Sequence, residues 1–184
     1  MIDILQNIQG SPALPLRYWS QDESRVGLKT ITRRILTALG IKPIGPVQWI
    51  FQSFYLYGAV EPLTGDSFFL EFSHLDADCF QIFLDQFSQA HSHNLNVIQL
   101  DNGRFHFAKK LQIPENVVLL FQPPYSPDIN PIERVWQFIK DQLRWLNLKN
   151  LDELRRKVDE VIQSITPNQI ASLTSFDFIL TALK

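Results

Sequence analysis

Three acidic residues stand where a fold could bring them to a common site: Asp22, Asp101 and Glu133. Asp22 ends an alternating apolar–polar stretch, and Asp101 follows the apolar run LNVIQL 79 residues later. Glu133 opens an amphipathic segment a further 32 residues on. In open sheets, sites form beyond the strand ends. Carboxylates that converge there raise one another's pKa unless cations neutralise them. Hard oxygen donors suit Mg²⁺ or Mn²⁺. Two such ions about 3.5–4 Å apart can activate a nucleophile and stabilise a leaving oxygen in phosphoryl transfer. Each acid also has a plain structural reading. Aspartate at a strand end is a common turn former. Asn130, Pro131 and Glu133 fit a helix start, with Asn as N-cap, Pro at N1 and Glu at N3 closing a capping box. Spacing alone does not show that the three meet.

Other polar residues surround them. Asn102 and His106 follow Asp101, and His106 reads either as a phosphate contact or as a packed imidazole. Glu133, Gln137, Lys140 and Arg144 recur at helical spacing, so they share one face. Lys140 and Arg144 are then cations tracking a DNA backbone, or simply a solvated face. Glu23 should point to the opposite side of its strand from Asp22 and is left out of the triad. His91 and His93 form a pair with no further ligands to suggest zinc. Cys79 reads as a buried apolar residue.

The elements that must position these residues follow from periodicity. Residues 16–24 alternate as a strand, and residues 30–39 read as a short helix or strand. Residues 49–60, rich in aromatic and β-branched side chains, predict a long strand that returns through the turn EPLTGD to residues 67–72. Phe80, Phe83, Leu84, Phe87 and Ala90 mark one helical face. Residues 95–100 and 117–121 predict buried strands. Ile132, Val135, Trp136, Ile139 and Leu143 predict a helix, Leu151 to Ile162 a second, and residues 169–183 a last one. Hairpin first and alternating strand and helix after it suggest an α/β fold, a mixed sheet with helices on its faces.

Composition bounds the rest. The chain's 184 residues make one domain with a little left over. A content of 45% hydrophobic and 12% aromatic residues excludes a disordered chain. One cysteine excludes an internal disulfide. No apolar run reaches the ~18 residues of a membrane span, and no basic residue precedes the apolar N-terminus as in a signal peptide. A cytoplasmic protein with no membrane partner is expected. The net charge of −2 argues against a stand-alone DNA-binding domain. Yet residues 43–103 carry seven acids and no Lys or Arg, while residues 17–42 and 102–157 each carry an excess of four bases. That pattern is either a polyanion site built from both ends of the chain or an ordinary mixed surface.

The strings QDES, LDNGRFH and PPYSPDINPIERVW, in this order, resemble the three catalytic blocks of DDE transposases. The match is closest to the insertion sequence 630 family, bacterial relatives of mariner-type transposases, and spans residues 18–144. The resemblance implies that Asp22, Asp101 and Glu133 are the catalytic carboxylates and the ligands of two Mg²⁺ or Mn²⁺ ions. It implies DNA contacts from Asn102, His106, Lys140 and Arg144, and a loop at Pro123, Pro124 and Tyr125 that aims Glu133. The implied fold is RNase H-like, a mixed five-stranded sheet flanked by helices. Residues 1–15 would be a lead-in, 16–147 the catalytic domain, and 148–184 C-terminal helices packed on it. The implied activity is metal-dependent DNA strand cleavage and strand transfer. Water attacks a phosphodiester at the element end, and the freed 3′-hydroxyl attacks target DNA, typically at a TA dinucleotide. Transposon ends and target DNA would be the partners, with a homodimer as the active form, in a bacterial cytoplasm and on the nucleoid when bound to DNA. Family members usually carry an N-terminal helix-turn-helix region. Its absence here is the expectation, which suggests the catalytic half of a protein whose DNA-binding half is separate. A non-catalytic remnant acting as a dimerising or inhibitory partner, and an RNase H-like nuclease on hybrids or branched DNA, are the alternatives.

Overall fold

A computed structural model describes residues 14–32, 36–42, 44–123 and 129–182. Five strands form one sheet: β1 (Leu16–Gly27), β2 (Ser53–Val60), β3 (Ser67–Phe72), β4 (Leu95–Leu100) and β5 (Val117–Phe121). Their order is β3-β2-β1-β4-β5. The hairpin side is antiparallel, whereas β1, β4 and β5 run parallel. The helices are α1 (Ala77–Ala90), α2 (Ile132–Gln142), α3 (Leu151–Ser164), α4 (Pro167–Thr174) and α5 (Asp177–Ala182). A short 3₁₀ turn, Arg104–Phe107, follows β4.

The period-2 alternation of the strands gives the sheet two apolar faces. On one, Trp19, Tyr57 and Ile98 lie under Phe80, Phe83 and Phe87 of α1. The Trp19 and Phe87 rings meet edge to face at 5.0 Å. On the other, Val26, Phe54 and Leu56 pack against Val135, Trp136 and Ile139 of α2, and Val158 and Val161 of α3 complete the cluster. Neighbouring residues of β1 therefore serve different faces, and Asp22 and Glu23 inherit that division.

The sheet forms as the alternation predicts; the edges of several elements do not. β1 continues to Gly27 because β2 pairs with it that far, Gly27 facing Ser53. The long strand predicted from residue 49 starts only at Ser53. Before it the backbone leaves the ladder, with Thr30 N donating to Gln48 O and Leu28 N to Gln52 O. Trp49 and Phe51 are exposed. Of the element predicted at 30–39, Ile31 forms an isolated bridge with Arg144, residues 33–35 lie outside the described residues, and a turn follows at Leu39 and Gly40. The last helix is two. Thr166 and Gln169 form a capping box that starts α4 at Pro167, and the helix breaks after Thr174. Cys79, in the first turn of α1, is half-buried rather than buried. Among the described residues no helix is long and apolar enough to cross a membrane.

Candidate active site

The register of two parallel strands aligns the first two acids. Leu16 faces Leu95 and Ser20 faces Gln99, an offset of 79 residues. Asp101 follows Asp22 by the same 79 residues. The pairing ends at Ser20 and Gln99 and β4 ends at Leu100, so Asp101 leaves its strand alongside the part of β1 that carries Asp22. Asp22 lies on the face that α2 covers.

Asp22 is half-buried there, and its Oδ2 accepts a hydrogen bond from Trp136 Nε1 at 2.9 Å. Burial, then the charges of Glu23 and Glu133, push its carboxyl well above the usual carboxylate range. Glu133 is exposed in the first turn of α2. A buried asparagine aims that turn: Asn130 Nδ2 donates to Gln21 O at 2.9 Å, tying the helix start to the strand residue before Asp22. This corrects the predicted cap, since Pro131 occupies the N-cap position and no side chain caps the helix.

Asp101 is more open, its side chain 56% exposed. Its Oδ1 accepts from Gly103 N at 2.8 Å and lies 3.1 Å from His106 Nδ1. His106 is buried against Phe80 and Phe105. Its other nitrogen, Nε2, lies 3.3 Å from Glu23 Oε1, and Gln21 Nε2 donates to the same oxygen at 2.7 Å. A buried imidazole with both nitrogens facing carboxylates is not placed to touch DNA, so the predicted contact from His106 gives way to a supporting position behind Asp101. Glu23 does point away from Asp22, as alternation required. Sequence reasoning missed that it returns to the site through His106. Asn102 is exposed, and its Nδ2 donates to Gln122 O at 2.7 Å, joining the end of β4 to the end of β5.

Beyond Glu133 an open cleft of about 690 Å³ runs along α2, lined by Arg134, Gln137 and Lys140 with Phe176 opposite. Lys140 faces it as helical spacing predicted. Arg144 is held back by Asp141, Nε to Oδ1 at 2.8 Å. Pro124 and Tyr125 of the aiming loop lie outside the described residues. His91 packs at a tilt against the Trp19 and Phe87 rings, a packing position.

Among the described residues no three His, Cys, Asp or Glu side chains already form a metal cage. The donor set nevertheless fits a hard divalent cation. Asp22, Asp101 and Glu133 offer only carboxylate oxygens, and the repulsion Asp22 feels from Glu133 is what such a cation relieves.

The profile of a family described as DDE superfamily endonuclease matches residues 17–155. The chain belongs to that superfamily. The DDE endonuclease domain is 35% identical over 104 residues to the uncharacterized protein y4pE/y4sA of Sinorhizobium fredii (strain NBRC 101917 / NGR234), covering 54% of this chain and 76% of that protein. Its fold is similar to that of the Mos1 mariner paired end complex with Mn, with TM-score 0.70 at 14% identity over 94% of this chain and 56% of that one. It is also similar to the HTLV-2 integrase catalytic core domain in complex with magnesium, with TM-score 0.51 at 16% identity over 86% of this chain and 97% of that one. The mixed five-stranded sheet flanked by helices is thus the RNase H-like core of transposases and integrases. The domain spans about half the length of the Mos1 chains it matches.

Proposed function

We propose that this endonuclease domain is the catalytic part of a DNA transposase, cutting DNA strands and joining the freed 3′ ends to target DNA. The observation that supports the reading is the parallel pairing of β1, which carries Asp22, with β4, which leads into Asp101, and the tie of the Glu133 helix start to Gln21 of β1. The three carboxylates would hold two Mg²⁺ or Mn²⁺ ions. Such ions, when bound, activate the attacking oxygen and stabilise the leaving one.

The chain's own residues do the rest. Asp22, Asp101 and Glu133 would hold the cations, and the reacting phosphodiester would be oriented against those cations rather than against the carboxylates themselves. Arg134 and Lys140, along the cleft from Glu133, carry the phosphate backbone away from it. Asn102 holds β4 against β5, and Arg144 stands paired with Asp141, which lines the cleft. Transposon ends and target DNA are the partners, within a bacterial insertion sequence and so in the cytoplasm and nucleoid. Recognition of the ends falls to a DNA-binding region outside this domain.

A homodimer is supported by the segment joining β1 to β2. There Leu36, Leu39, Ile41, Ile44, Trp49 and Phe51 are exposed, more apolar surface than a solvated loop requires. The same segment favours a second reading, a dimerising partner without catalysis. Mn²⁺-dependent nicking of supercoiled DNA separates the two. The transposase reading expects nicking by the wild type and none by a folded Asp101→Asn variant. Nicking that survives in the variant, or a wild type that never nicks, contradicts it.

A further inference from the structure

Among the described residues, the Asp22 carboxylate accepts a side-chain hydrogen bond from a residue to which the carboxylate chemistry gives no part. Trp136 is 2% exposed, and its Nε1 donates to Asp22 Oδ2 at 2.9 Å. Buried indole N–H groups take a partner, but a backbone carbonyl or an amide would have served. Here the partner is an acid of the site. Trp136 also lies three residues after Glu133, so both side chains rise from the same side of α2. Together with Asn130 on Gln21, this bond fastens α2 to two consecutive residues of β1.

The sheet is cut to admit that indole. Gly58 of β2 faces Asp22 across the ladder. A Cβ there would lie 2.6 Å from Trp136 Cη2 and 2.8 Å from the Phe69 ring. The Phe69 ring stands edge-on to Trp136 with centroids 5.7 Å apart. The glycine opposite the acid, and the aromatic beside it, thus leave a slot that sets where Nε1 points.

We infer that Trp136 is a positioning residue: it fixes the rotamer of Asp22 and couples it to Glu133, so that divalent-cation affinity depends on an indole N–H which itself binds no metal. The inference rests on the metal-site reading above. Groups that orient metal ligands in this way cost about 10–100-fold in affinity or activity when removed.

The test is Mn²⁺ titration calorimetry on the wild type, on Trp136→Phe, which keeps an aromatic ring and loses the donor, and on Ile139→Val, a neighbour in the same core. The expected result is Mn²⁺ binding about 10–100-fold weaker in Trp136→Phe. Ile139→Val should melt earlier yet bind Mn²⁺ as the wild type does. A second measurement needs no variant to fold. In the wild type, the NMR signal of the Trp136 indole N–H, assigned through its own side chain, should be broadened away as Mn²⁺ binds. Unchanged affinity in a folded Trp136→Phe overturns the positioning role and leaves the metal site standing, whereas an indole signal that stays sharp at saturating Mn²⁺ means that no cation sits beside Asp22 and overturns both. A wild type that takes up no Mn²⁺ overturns both.

Discussion

Glu23 and His106, 83 residues apart in sequence, meet behind Asp101 with Oε1 3.3 Å from Nε2. Their side chains are only 6% and 1% exposed. A buried carboxylate of this kind is stable only with partners, and Glu23 has two, the imidazole and the Gln21 amide. The imidazole in turn stands against Asp101, so an acid on the α1 face of β1 helps to orient the acid that follows β4.

Glu23→Gln should therefore act at a distance. The pocket stays filled, but His106 loses its charged partner and Asp101 its fixed setting. Cleavage is expected to fall about 10–100-fold, as for outer-shell partners of metal ligands. Urea melting should show a loss of about 1–3 kcal/mol from an unmatched buried polar group. Wild-type cleavage by the variant would reduce the pair to packing.

Asp22 makes the domain's stability depend on pH. Burial and two neighbouring acids raise its folded pKa above the value of the unfolded chain. Between those two values the folded state holds the proton more tightly, so stability falls as pH rises. Above its folded value the ionised Asp22 destabilises the metal-free fold. Asp22→Asn should therefore melt later than the wild type at pH 8 in chelator, with the difference shrinking toward acid. Added Mn²⁺ should raise the wild type's Tm and leave the variant's unchanged. A variant less stable than the wild type at pH 8 would show that Asp22 is not under electrostatic strain.

Asn130 aims Glu133. Asn130→Leu removes the bond to Gln21 O and leaves that carbonyl without its side-chain donor. About 1–3 kcal/mol of stability should be lost, with cleavage falling by more than the small unfolded fraction explains. The check is activity measured well below the melting temperature. Full activity there would mean that the helix start is held by packing alone.

Lys140 should act on DNA affinity and not on chemistry. It lines the cleft beside Glu133, and removing one phosphate contact lowers the slope of log K against log salt by about 1. Lys140→Ala is thus expected to weaken duplex binding uniformly across sequences, with kcat nearly unchanged at saturating DNA. Anisotropy titrations at several salt concentrations measure it. An unchanged slope would make Lys140 part of a solvated face.

How much of this was legible in the sequence depends on how local each signal is. Residues 67–72, 95–100 and 117–121 were read with the bounds the structure gives, because turns or a strand-ending Asp frame them. Residues 49–52 were read as strand from their aromatic content, yet Trp49 and Phe51 are exposed and the backbone there bonds outside the ladder. The triad could be named by resemblance, but the meaning of its 79-residue spacing needed the β1–β4 register. Asn130 looked like a cap from its neighbours. Only the packing of α2 on β1 shows its amide turned to Gln21. Glu23 and His106 carried no local sign of each other at all.

The central claim is that Asp22, Asp101 and Glu133 hold divalent cations in common. Its most direct test is Mn²⁺ binding to the wild type and to Asp22→Asn, Asp101→Asn and Glu133→Gln, each shown to be folded by its melting curve. The account predicts binding by the wild type and severe loss in every one of the three variants. Wild-type affinity in any folded single variant would contradict it.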